Sequence, residues 1–175
     1  MSKTTTTTEG RNLILERVID APREKVFKAW TDPELMKQWF APKPWTTPRA
    51  ETDVRPGGAS LVVMRGPEGQ EFPCPGVYLE VVPNEKLVFT DAFTGAWELS
   101  DRPFMTVVIT FDDLGNGRTK YKAVAKHWSD ATREEHEKMG FHQGWAMCAE
   151  QLAAYPDARA TLSAWLASLP PADEK

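Results

Sequence analysis

The sequence predicts an α+β fold in which about six to seven antiparallel strands form a curved sheet, closed by helices at both ends of the chain. Three observations lead there. Trp30 and Trp39 fall in a tract, Ala29 to Phe40, that reads as helical. Behind it come segments of alternating apolar and polar residues separated by Gly-, Pro- and Asn-rich turns, the pattern of antiparallel hairpins. Near the C-terminus Phe141, Trp145, Cys148, Leu152 and Tyr155 step by four and three residues, which is one face of a helix. A sheet covered in this way makes a container, without naming its contents.

The first element, Asn12 to Asp20, carries apolar residues on both faces, as a covered strand does. Pro22 stands at the first position of a short helix with Val26, Phe27 and Trp30 on its apolar face, and Asp32-Pro33 caps and starts a second that runs to about Phe40. Pro42 and Pro44 end it. Strands are expected over Trp45–Val54, Ala59–Arg65, Gly76–Val82, Lys86–Phe93, Thr106–Phe111 and Thr119–Trp128. The turns between them include Arg55-Pro56-Gly57-Gly58, Gly66-Pro67-Glu68-Gly69 and Pro83-Asn84-Glu85. In the last strand Lys120, Lys122 and Lys126 point one way and Tyr121, Ala123, Ala125 and His127 the other, so one face is wet and the other covered. One long helix then spans Ala131 to Tyr155, with Ser129 or Thr132 as its cap and Thr132/Glu135 in capping-box spacing. Pro156 ends or kinks it. Three regions result: a Thr-rich disordered tail over residues 1–11, one folded unit over 12–156, and an extension over 157–175 with a short helix followed by disorder.

Composition narrows the function. The 175 residues suffice for one core without staples, and a net charge of −4 with no basic run disfavours nucleic acid as a partner. Cys74 and Cys148 match neither a disulfide framework nor a zinc spacing and read as free thiols in a cytoplasmic protein. No apolar run approaches the roughly 20 residues that span a bilayer, and no secretory signal is visible. His136 and His142, six apart, would lie on opposite sides of one helix, so no metal site is expected, and no fingerprint of a cofactor is present.

The order strand, two short helices, antiparallel strands, long helix is the helix-grip arrangement, and its motifs resemble a known family. Ile19-Asp20-Ala21-Pro22, Ala29-Trp30-Thr31-Asp32-Pro33-Glu34, Gln38-Trp39-Phe40-Ala41-Pro42, Asp53-Val54-Arg55-Pro56-Gly57-Gly58, Gly76-Val77-Tyr78-Leu79-Glu80 and Gly144-Trp145 are similar to those of bacterial START-like (SRPBCC) proteins. The branch is the one similar to the C-terminal domain of the activator of heat-shock protein 90 ATPase. The resemblance covers roughly residues 12 to 155 and implies a helix-grip fold with a cavity between the concave sheet face and the long helix. It implies no single activity, because this cup serves lipid transfer, cyclisation, sensing and chaperone stimulation alike.

On that frame Tyr121, Ala123, Ala125 and His127 line the covered face of the last strand, and Phe141, Trp145 and Cys148 face them from the helix. The small alanines leave room for a ligand; ordinary core packing is the competing reading. Trp97, in the aperiodic segment Asp91–Pro103, is either a lid over the cavity mouth or a surface residue packed down. Tyr78 and Glu80 share one face if their strand is regular. A concave Glu80 would be a buried carboxylate fit for acid or base work, and a convex one a solvated partner of a nearby cation. Three functions stay open: carrier or sensor of a small apolar or amphipathic ligand, a cyclase or hydrolase using His127, Glu80 or Tyr78, and a chaperone-interaction module. Against the last, the eukaryotic activators carry a separate N-terminal domain for which this chain has no room. The sequence is compatible with a homodimer and does not indicate one.

Overall fold

A computed structural model describes residues 3–168, with side chains described up to Tyr155. Its strands are β1 (Thr5–Glu9), β2 (Asn12–Ile19), β3 (Thr46–Thr52), β4 (Ala59–Arg65), β5 (Glu71–Val82), β6 (Lys86–Thr90), β7 (Phe93–Gly95), β8 (Glu98–Leu99), β9 (Met105–Gly115) and β10 (Arg118–His127). The helices are α1 (Arg23–Thr31), α2 (Pro33–Trp39), α3 (Asp130–Lys138) and α4 (Phe141–Ser168). Eight strands form one antiparallel sheet in the order β1-β2-β10-β9-β6-β5-β4-β3, while β7 and β8 pair separately. The helix-grip arrangement is therefore present, with one strand more than the expected upper bound.

The additional strand comes from the segment expected to be a disordered tail. Thr5–Glu9 pairs with β2 from Thr5 opposite Glu16 to Glu9 opposite Asn12. Threonine is β-branched and suits an edge strand, and this one is tied to the helices as well. The Thr4 hydroxyl donates to Glu150 at 2.6 Å, and Thr6 Oγ1 lies 2.9 Å from His142 Nδ1.

The inner face of the sheet carries the core, and its register explains the alanines. Ala123 lies between Leu15 of β2 and Ile109 of β9, and Ala125 between Leu13 and Val107. Leu87 of β6 continues the first row beside Ile109. All these side chains are fully buried, in one cluster with Phe141, Ala149 and Leu152 of α4. Small residues on the central strand thus let bulkier neighbours and α4 close over it, so the room read from the alanines is occupied by apolar side chains. The lysines of β10 face the other way, where Lys122 pairs with Glu16 at 3.5 Å.

The two early helices pack onto this layer; Pro22 is the N-cap of α1 rather than its first residue, while α2 is capped as expected. The Asp32 side chain accepts from the Glu34 N–H at 3.0 Å, with Pro33 as the first helical residue. Trp39 donates its indole N–H to the Ala29 carbonyl at 2.9 Å, and Trp30 donates to the Tyr121 hydroxyl at 3.1 Å. Each buried indole is therefore satisfied. Gln151 of α4 ties down the chain where α2 ends, donating to the carbonyls of Trp39 and Ala41 at 2.7 and 2.8 Å.

The single helix expected over Ala131–Tyr155 is two. Gly140, with φ of +98°, separates α3 from α4, because an α-helix cannot continue through a left-handed residue. The N-cap is Ser129, and its capping box is closed by Thr132 rather than by Thr132 with Glu135. Pro156 lies inside α4, which runs on to Ser168, so it does not end the helix. Of the extension assigned to residues 157–175, the disorder expected after Leu169 lies outside the described residues. No helix among the described residues is long and apolar enough to cross a membrane.

Candidate functional site

The break at Gly140 positions a buried polar pair on the sheet's helical side. β10 ends at His127, the chain turns through Trp128 and Ser129, and α3 brings His136 back onto it. His127 Nε2 and His136 Nδ1 are 2.8 Å apart, and both rings are buried. His127 Nδ1 lies 2.9 Å from the Arg11 carbonyl oxygen, which also accepts the His127 backbone N–H at 3.1 Å. A carbonyl can only accept, so His127 Nδ1 carries a proton and donates it.

Aromatic rings enclose the pair. Phe104 sits 5.0 Å from the His136 ring and 5.6 Å from His127, measured between centroids. Phe141 is 5.0 Å and Trp145 6.3 Å from His136, and Phe141 and Trp145 are 5.1 Å apart. Phe104 is held in place by Asp91, whose Oδ1 accepts the backbone N–H groups of Phe104 at 2.7 Å and Met105 at 3.0 Å. Burial pushes the Asp91 carboxyl upward, opposed by those two N–H groups. Burial, then the neighbouring His127 and His142, hold His136 down at about 4. His136 Nε2 has no hydrogen-bond partner among the described residues. Next to the enclosure, Glu137 accepts from Arg133 and lies 3.0 Å from His142 Nε2, with its carboxyl lowered to about 2, by His142 first and then Arg133.

Of the residues read from the sequence, the structure brings His127, Phe141 and Trp145 together here. Tyr121 and Ala123 lie on the same inner face, farther along β10, within the packed core. Tyr121 is fully buried with its hydroxyl accepting from Trp30, and burial raises its pKa well above the ordinary tyrosine value, so the phenol stays neutral.

Tyr78 and Glu80 part company. The register of β5 against β6 shifts between them, Tyr78 facing Phe89 and Glu80 facing Val88. That bulge breaks the period of two, so Tyr78 points into the core and Glu80 out to solvent, where it pairs with Lys86 at 3.1 Å. Burial pushes the Tyr78 phenol up to about 12. The concave Glu80 is therefore corrected to the solvated one.

Trp97 stands apart from the enclosure. The segment Asp91–Pro103 holds the β7–β8 hairpin, and Trp97, 56% exposed, packs against Phe93 at 5.4 Å. It also covers Gly57, where an added Cβ would stand 3.1 Å from its ring. That places it over the β3–β4 turn, and no ring contact joins it to Phe141 or Trp145 among the described residues.

Two residues escape a reading of the sequence. Spacing excludes His136 as a partner of His142, whereas its partner is His127, nine positions earlier on another element. Phe104 belongs to no periodic segment, and only the Asp91 contacts aim it at the histidines. Open grooves lie elsewhere: one of about 560 Å³ on the outer sheet face between Glu9, Lys86 and Lys126, and one of about 170 Å³ beside Arg17 and Glu150. No group of three or more His, Cys, Asp or Glu side chains among the described residues could hold a metal ion.

Comparison with known proteins places this geometry in a family. The family model of the Activator of Hsp90 ATPase homolog 1-like proteins matches residues 20–157. A crystal structure of a protein from Nitrosomonas europaea is 36% identical, with a TM-score of 0.83 over 89% of this chain and 99% of that one. A Chromobacterium violaceum protein is 30% identical, with a TM-score of 0.66 over 82% and 95%. An AHSA1-like protein from Aeromonas hydrophila shares the fold at 20% identity, with a TM-score of 0.66 over 85% and 94%. No curated protein matches. The resemblance read from the tryptophan tract and the turn motifs is thus the true kinship, and the chain belongs to the Activator of Hsp90 ATPase homolog 1-like family of the START-like superfamily.

Proposed function

We propose that the protein binds a small apolar or amphipathic molecule against the aromatic enclosure of His136, as a carrier or sensor. The observation that carries this reading is the buried His127–His136 pair set in a wall of Phe104, Phe141 and Trp145. A polar pair set in an aromatic wall is how small-molecule sites fix orientation. Met139, 70% exposed, and Trp128, 47% exposed, stand at the two ends of α3 and offer apolar surface at the rim. The family's fold supports a ligand-binding module in general terms.

Catalysis by His127, Glu80 or Tyr78 has less support, since they lie apart, at the end of β10, on the outer surface and in the core. A hydrolase or cyclase needs groups converging on one reacting atom.

Native mass spectrometry of freshly purified protein, with organic extraction of whatever is bound, tests the reading. A stoichiometric apolar compound, or a melting shift with a panel of such compounds that is lost in Trp145→Ala, is the expected result. Empty protein with no shift against the panel would sink it.

A further inference from the structure

Helix α3 is fastened to the body by few groups. It has nine residues, and His136 alone among them is buried. Its single apolar residue, Ala131, is exposed, so α3 brings no aliphatic side chain to the core. Trp128 before it and Met139 after it are exposed as well. At Gly140 the backbone turns left-handed, and an added Cβ would meet no heavy atom within 4 Å. Neither end is therefore wedged in place by packing. The capping box of Ser129 and Thr132 keeps the helix together as a unit.

Polar contacts and one ring hold it down. His136 Nδ1 meets His127 Nε2 at 2.8 Å, with Phe104 and Phe141 against the His136 ring. Glu137 lies 3.0 Å from His142 Nε2 of α4 and accepts from the Thr8 hydroxyl of β1 at 3.1 Å. Contacts that water can replace contribute little net stability, and an element with little buried apolar surface opens well below the cost of global unfolding.

We propose that α3 is a lid latched by His136, which swings about Ser129 and Gly140 as a unit while the sheet and α4 stay folded. Opening lifts the imidazole from its slot and exposes Phe104, Phe141 and the His127 ring to solvent. The lid goes beyond the ligand-binding reading and does not depend on it.

Acid favours the open lid. Around the latch stand His127 of β10, His142 of α4, Asp91 after β6, and Arg133 and Glu137 of α3 itself. Burial, then His127 and His142, oppose a charge on the docked ring and hold it at about 4. In water the ring regains an ordinary value near 6.5. Glu137, lowered to about 2, is ionised with the lid open or closed above about pH 5.5. The open lid thus takes up a proton that the closed one refuses, and its population rises about tenfold between about pH 7.5 and about pH 5.5.

Native-state amide hydrogen exchange of the full chain, corrected for intrinsic rates, tests the lid. The amides of Glu134 to Lys138 should exchange through an opening at least about tenfold more populated than that of the β10 amides, and it should grow about tenfold over that pH range. In His136→Phe, which fills the slot with a ring that carries no proton to exchange with the pH, the α3 opening should stay within about twofold across the range. Amides of α3 that share the opening of β10 in the unaltered protein would overturn the lid. An α3 opening that ignores pH there, or that grows equally in His136→Phe, would overturn the latch. Each of these results leaves the ligand-binding reading to its own test.

Discussion

Lowering the pH should destabilise this protein through His136. An unfolded chain protonates a histidine with a pKa near 6.5, whereas burial holds His136 at about 4 in the fold. Above about pH 7.5 both states are neutral there and the group contributes no pH dependence. As the pH falls through 6.5 the unfolded chain takes up a proton that the folded protein refuses, so stability drops until the folded ring also protonates near 4. Each pH unit in that window costs up to about 1.4 kcal/mol, which gives about 2 kcal/mol between about pH 7.5 and about pH 5 and a ceiling of about 3 kcal/mol. Glu137 works in a separate range. Its carboxyl is lowered to about 2, so its contribution is present above its ordinary pKa near 4.5 and is lost only below that.

Urea unfolding measured by tryptophan fluorescence at several pH values checks this, alongside His136→Asn, which carries no ionisable group at that position. The difference in slope between the two proteins should be about 2 kcal/mol between about pH 7.5 and about pH 5. Equal slopes would mean that His136 is not held neutral by its surroundings, and the argument from its burial would fail.

Other substitutions probe separate parts of the reasoning by the same unfolding assay. Tyr121→Phe removes the oxygen that accepts the buried Trp30 N–H and should cost about 1–3 kcal/mol. Ala123→Leu places a large side chain between Leu15 and Ile109 and should cost at least about 1–3 kcal/mol; unchanged stability would show that the inner face has room after all. Gly58→Ala sets a Cβ 1.9 Å from the Asp53 carbonyl oxygen, so the β3–β4 turn must shift and the soluble folded yield should collapse. Glu80→Gln breaks only an exposed ion pair with Lys86 and should change stability by less than about 1 kcal/mol, with ligand binding unaffected.

What is legible in the chain and what is not divide along the range of the interactions. Strand β4 runs from Ala59 to Arg65 as read, and the lysines of β10 lie on the face opposite Tyr121 and Ala123, because periodicity and turn chemistry are local. Strand β1 escapes notice because its threonines carry no apolar alternation, and its partner β2 supplies the backbone groups that order it. Glu80 is misplaced by a one-residue bulge, which reverses a face without leaving a mark in the sequence. The histidine pair shows the same limit at the candidate site. Spacing compares residues along one element, and on one long helix His136 and His142 have nothing to share. Once Gly140 splits that helix, α3 becomes a separate arm starting just past His127, and the turn at Ser129 folds it back so that residue 136 meets residue 127. A glycine directly after Lys138 and Met139 is the available signal, since a left-handed residue is the commonest end of a helix. Reading it as an end places a histidine in the second half of a nine-residue helix tethered beside another histidine, and only burial by Phe104 and Phe141 then makes their contact persist in water's presence. The site is therefore a product of where a helix stops, more than of which residues the helix contains.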